Sequence, residues 1–121
     1  MEKITLKWSP LVHIPTDLQK IPSSGCVYRL SKKESDGKFY VFFVGSAENL
    51  KEALKINLSE DEKNEKLKLF LLQKADFAIK YAEVTNKELR VAIEKQLYKH
   101  YMPITNLAEP ISLLEVEFNI N

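Results

Sequence analysis

The sequence predicts an α+β domain, and three observations predict it: β-rich or alternating runs near both ends and in the middle, helix openings of polar-then-apolar pattern between them, and no regular strand–helix alternation. With 121 residues there is room for one hydrophobic core, which excludes a multidomain enzyme. Ile4, Leu6 and Trp8 alternate with Thr5 and Lys7, predicting a leading strand over 4–8 that ends at Ser9-Pro10. Pro10, Pro15 and Pro22 then punctuate an entry loop over 11–24 with at most one helical turn at Thr16-Asp17-Leu18-Gln19. Cys26 to Leu30 and Phe39 to Val44 are β-branched and aromatic, and Ser35-Asp36-Gly37 supplies the turn of a hairpin. The second of these runs is apolar on both parities, which predicts a central strand covered on both faces.

Ser46 is placed to cap a helix carrying Leu50, Leu54 and Leu58, and Ser59-Glu60-Asp61-Glu62 has the pattern of a capping box for a second helix running to about Gln73. Phe77, Ile79 and Tyr81 alternate with Ala78 and Lys80 as a third strand ending near Val84. Thr85-Asn86-Lys87-Glu88 opens a helix whose stripe is Leu89, Ile93 and Leu97, stopped before Pro103. Leu114, Val116, Phe118 and Ile120 alternate as a last strand, expected to pair with the leading one. The expected architecture is a small antiparallel sheet of three core strands, extended by N- and C-terminal strands and flanked by three helices.

Charge and cysteine content narrow the function. A net charge of +1 gives no whole-molecule attraction to nucleic acid or anionic membrane, so any such site must be local. The single Cys26 excludes an intramolecular disulfide and cysteine-rich zinc motifs and suits a reducing, cytoplasmic location. No apolar run approaches membrane-spanning length, and no signal-peptide core follows the first residues. His13 and His100 have no partner at metal-ligand spacing, and the charged stretch Glu60 to Lys68 reads as a solvated helix face.

Three local words stand in a suggestive order: Gly25-Cys26-Val27-Tyr28-Arg29-Leu30, then Phe43-Val44-Gly45-Ser46-Ala47-Glu48-Asn49-Leu50, then Glu94 followed by Pro103 and Asn106. Together they resemble the GIY-YIG endonuclease domain. The resemblance spans residues 21–107, leaving 1–20 as an N-terminal extension and 108–121 as a C-terminal strand extension. It implies phosphodiester cleavage in DNA with one divalent cation, Mg or Mn, held by Glu94. It also implies a catalytic role for Tyr28 and a substrate-binding set of Gly45, Ser46, Asn49 and Asn106. A carboxylate is a hard oxygen ligand suited to such a cation. A phenol relays a proton only through its hydroxyl, and an arginine offers a fork of donors to phosphoryl oxygens.

The match is incomplete. Cys26 replaces the first motif's glycine, the second motif's tyrosine falls on Phe43, and Ala53 stands where the family places its arginine. A positioned base contributes about 10²- to 10⁴-fold and an arginine on a transferring phosphoryl group roughly 10³- to 10⁵-fold in related chemistry. The resemblance therefore implies a degenerate member, catalytically weak or inactive, that retains nucleic-acid or metal binding. One alternative is an active endonuclease with a rearranged site in which Tyr28, Arg90 and Glu94 act together. The plainer expectation for Arg90 is an intrahelical ion pair with Glu94. A further alternative is a protein-interaction module that pairs or dimerises through its terminal strands.

Overall fold

The computed structural model describes residues 2–121, and Met1 lies outside the described residues. The first three strands are β1 (Glu2–Ile4), β2 (Val12–Ile14) and, after a single 3-10 turn at Leu18–Lys20, β3 (Cys26–Lys33). They are followed by β4 (Phe39–Ala47), α1 (Leu50–Asn57), α2 (Glu65–Leu71), β5 (Phe77–Glu83), α3 (Lys87–Tyr101) and β6 (Val116–Phe118). The class is α+β, as the sequence predicts.

The hairpin of β3 and β4 turns at Gly37, whose φ of 82° is the left-handed conformation that glycine adopts without steric cost. β5 pairs antiparallel with the other side of β3, and β2 pairs antiparallel with β5, giving the strand order β2-β5-β3-β4. β1 and β6 pair with each other in parallel and form a separate two-stranded sheet. The terminal strands thus pair as expected but do not extend the main sheet. The leading strand occupies residues 2–4 and not 4–8: beyond Ile4 the chain leaves the ladder, and Leu6 exchanges both of its backbone hydrogen bonds with the Asn119 side chain. The expected entry loop contains β2, three residues whose Val12 and Ile14 are buried while His13 is exposed.

β4 is an edge strand, not a central one, and the correction has a physical cause. Its two faces are covered, with Phe42 buried on one and Val44 on the other. Its outer edge, where another strand would pair, is closed by the segment after α3. Thr105 donates its amide (3.2 Å) and hydroxyl (2.6 Å) to the Phe42 carbonyl. The Asn106 side chain accepts from the Val44 amide at 3.0 Å and donates to the Val44 carbonyl at 2.9 Å, replacing one rung of a ladder.

Each helix is capped by an asparagine: Asn49 accepts from the Glu52 amide, Asn64 from Leu67 and Asn86 from Leu89. The expected caps lie elsewhere. Ser46 is the penultimate residue of β4, Thr85 precedes the true cap, and Ser59 makes a turn of its own, donating to the Ile56 carbonyl and accepting from the Asp61 amide. α2 consequently opens at Glu65, so Glu60 to Asn64 lies ahead of the helix and is not part of its solvated face.

Two apolar clusters fill the two sides of the main sheet. One, under α1 and α2, gathers Tyr28, Leu30, Phe42, Leu50, Leu54, Leu67 and Ile79. The other, under α3 and the terminal strands, gathers Leu6, Val27, Val44, Ile93, Leu97 and Val116.

Candidate functional site

The register of the hairpin sets the site. Tyr28 on β3 lies opposite Gly45 on β4, and the phenol ring occupies the space a side chain at 45 would need: a Cβ there would sit 2.8 Å from Cε1 and Cζ. This close approach is why the position is glycine. Phe43, also on β4, stands against the same ring with centroids 6.0 Å apart, so no second hydroxyl reaches the phenol from this position.

Tyr28 is 3% exposed and donates its hydroxyl to Asn57 Oδ1 at 3.0 Å. Asn57 in turn donates Nδ2 to Glu62 Oε1 at 2.7 Å, and Glu62 Oε2 accepts from the Asn64 amide at 2.8 Å. Asn64 Nδ2 continues the chain to the Thr105 carbonyl at 2.8 Å. Burial, followed by the negative charges of Glu94 and Glu62, holds the Tyr28 phenol well above its ordinary value. A phenol so placed stays protonated and donates a hydrogen bond to the Asn57 amide oxygen.

Glu94 rises from α3, half-buried, and accepts the Ser46 hydroxyl on Oε1 at 2.6 Å. Burial raises its carboxyl above the ordinary carboxylate range, and the Ser46 hydrogen bond opposes that rise. Among the described residues no lysine, arginine or histidine lies within ion-pair distance of it, so the expected Arg90–Glu94 pair does not form. Arg90, 5% exposed, instead sends Nη1 to the carbonyls of Val84 and Thr85, both at 2.9 Å, closing the turn from β5 into α3. A Cβ at Gly25 would lie 2.5 Å from that same Nη1 and 3.0 Å from the Val84 carbonyl, which is why glycine stands there too.

The structure therefore gathers Tyr28, Gly45, Ser46 and Glu94 at one end of the hairpin. Asn49 and Asn106 stand near by in the chain path but with their side chains engaged, Asn49 as the α1 cap and Asn106 on Val44. On the flanking helices, Lys55 pairs with Glu52 at 3.7 Å and Lys95 donates to the Ser112 carbonyl at 3.0 Å. Cys26 is fully buried, its thiol raised chiefly by that burial, as befits a small core residue.

Sequence reasoning misses Asn57 and Glu62. Asn57 carried a signal: it falls on the buried face of α1 with Leu50 and Leu54, and a polar residue on an apolar stripe calls for a buried partner. Glu62 is hidden by its reading as part of a capping box.

Among the described residues no three His, Cys, Asp or Glu side chains gather as a cation site. What remains is one carboxylate, Glu94, with Oε2 free of any protein hydrogen bond among the described residues. Magnesium keeps several waters and is held by one or two carboxylates together with substrate phosphates, and a lone half-buried carboxylate fits only that mode. No family model matches the chain, and no curated protein does. No helix among the described residues is long and apolar enough to cross a membrane.

Proposed function

We propose that this domain is a GIY-YIG-like scaffold with a quiet active centre, one that binds a phosphodiester or a weakly held divalent cation at Glu94 without efficient cleavage. One observation carries the reading: Ser46 and Glu94 are hydrogen-bonded at 2.6 Å next to Gly45, which is itself covered by Tyr28, so residues from three separate motif words meet in one place. The order hairpin, two helices, strand, helix supports it as well.

The chemistry argues for quiescence. Tyr28 is desolvated, protonated and committed to Asn57, so it is a poor proton acceptor near neutral pH. Phe43 has no hydroxyl, and Ala53 offers phosphate no cation. Glu94 would hold Mg or Mn, with water and a phosphate oxygen completing the shell; the bound ion would supply charge stabilisation on the phosphate.

The test restores what is missing. Wild type and the double variant Phe43→Tyr/Ala53→Arg are incubated with plasmid DNA and manganese in protein excess, alongside Glu94→Ala in each background. The expected result is no nicking by the wild type and nicking by the double variant that Glu94→Ala abolishes. Efficient wild-type cleavage lost on Glu94→Ala would overturn quiescence. Absence of manganese broadening at the amides of Gly45 and Glu94 in NMR spectra would overturn cation binding.

A further inference from the structure

Arg29 presents a different problem from the residues above and lies on the other side of β3 from Tyr28. It is 5% exposed, and no carboxylate stands within ion-pair distance among the described residues. A buried guanidinium without a counterion is costly. Its charge is partly offset by aromatic faces, with Cζ 4.6 Å from the Trp8 ring centroid and 5.5 Å from that of Tyr101. One donor, Nη1, reaches the Ile120 carbonyl at 2.6 Å. Among the described residues Nε and Nη2 have no protein acceptor, yet no fully buried side-chain nitrogen lacks a partner. These donors therefore look into open space, and the space is a cavity of about 410 Å³ that Arg29 lines.

The cavity has a second cation. Lys80 on β5 is the register partner of Arg29, which puts their Cβ atoms about 5 Å apart on one face of the sheet. Among the described residues the lining contains no Asp or Glu side chain, and the terminal carboxylate of Asn121 lies beyond ion-pair distance of both cations, so two adjacent positive charges face the same volume unpaired. Besides the two cations the lining includes Ser31 and Asn121 and is otherwise apolar or aromatic, Phe39, Tyr40 and Tyr101 supplying the rings. The volume lies within the range of small-molecule sites and exceeds what a bare oxyanion needs.

We propose that this cavity binds a small organic phosphate monoester: the dianionic head between Arg29 and Lys80, and an aromatic or similarly flat apolar body against Phe39, Tyr40 and Tyr101. Two charges converging on one point favour a dianion over a monocarboxylate, and the guanidinium fork suits phosphoryl oxygens. The site stands apart from the Tyr28–Glu94 cluster and does not depend on the function proposed for it.

Trp8, the chain's only tryptophan, stacks on Arg29 and serves as the reporter. Phenyl phosphate, inorganic phosphate and benzoate are titrated against the full chain at constant ionic strength, following Trp8 emission and the Arg29 Nε–H NMR signal. Phenyl phosphate is expected to saturate both signals and to bind at least about tenfold more tightly than either other probe. Lys80→Gln, a half-exposed position on β5, is expected to weaken phenyl phosphate about tenfold or more, and Lys38→Gln in the hairpin turn to leave it unchanged. Equal binding of benzoate would overturn the dianion, and equal binding of inorganic phosphate would overturn the aromatic half. A response that never saturates, or that Lys80→Gln leaves intact while circular dichroism reports a folded variant, would overturn the site.

Discussion

The chain has only two arginines, both 5% exposed and both without a carboxylate partner among the described residues, yet they serve opposite ends. Arg90 turns inward: its Nη1 ties the carbonyls of Val84 and Thr85 together, and Gly25 has no side chain so that it can. Arg29 turns toward a cavity, held from behind by Trp8, Tyr101 and the Ile120 carbonyl. Burial and charge are the same, so neither distinguishes a structural guanidinium from a binding one. What distinguishes them is where the donors end. The same contrast runs through the other polar groups, with Tyr28, Asn57, Glu62 and Asn106 closed on protein partners and Glu94 left with one oxygen unshared among the described residues.

The contrast is broken most severely at Arg90. Arg90→Ala leaves the buried Val84 carbonyl without its donor and opens a void beside Gly25, so urea unfolding should show a loss of about 2–4 kcal/mol. Arg29→Ala should cost less, about 1–2 kcal/mol, because the change also removes an uncompensated buried charge. An equal or larger loss at position 29 would mean that both arginines are structural. Next in size, Asn106→Ala strips two hydrogen bonds from the outer edge of β4 and should cost about 1–3 kcal/mol. Hydrogen exchange at Val44 would register the loss first.

Glu94 supplies a pH dependence of defined sign. Its folded carboxyl holds a proton more tightly than the unfolded chain does, so its contribution is fully favourable below the unfolded pKa and is lost as pH rises through the folded value. Unfolding free energy should therefore fall across the mildly acidic range in the wild type, and Glu94→Gln should flatten that fall. A slope unchanged by the substitution would place its source elsewhere. The smallest effect belongs to Ser46→Ala, which removes the one hydrogen bond opposing the rise. It should move the Glu94 titration, followed by carboxyl NMR, to still higher pH, at a stability cost of about 0.5–1.5 kcal/mol.

Much of this was legible in the sequence, and the exceptions are instructive. The hairpin, β5 and α3 follow from β-rich runs and helical periodicity long enough to be unambiguous. β2 was not legible because three residues among prolines carry too little pattern, and its pairing is supplied entirely by β5. The edge position of β4 was hidden because a continuous apolar run reports coverage of two faces and says nothing about what closes the outer ladder. Here Thr105 and Asn106 do so from far along the chain. The caps fall on Asn49, Asn64 and Asn86 and not on the nearby Ser46, Ser59 and Thr85, because asparagine accepts an amide proton as well as serine or threonine does and local pattern does not separate them. At the site, the resemblance to the GIY-YIG pattern pointed to Tyr28, Gly45, Ser46 and Glu94; hairpin register sets Tyr28 against Gly45, and α3 brings Glu94 to Ser46. Arg90 was misread because helical spacing identifies which residues share a face but not toward which end a long side chain reaches.

The pairing of β1 with β6 joins segments that lie more than a hundred residues apart, Glu2 opposite Val116. Such a non-local seam has to meet the entropy of joining a long loop before any rung of its ladder forms, a cost that shrinks once the intervening strands hold its halves close. The seam is also what presses Trp8 onto Arg29, through the indole N–H donated to the Asn119 carbonyl at 2.8 Å. The indole is therefore expected to lose its neighbours when this seam opens, even where the central strands stay paired, and Trp8 emission would report it.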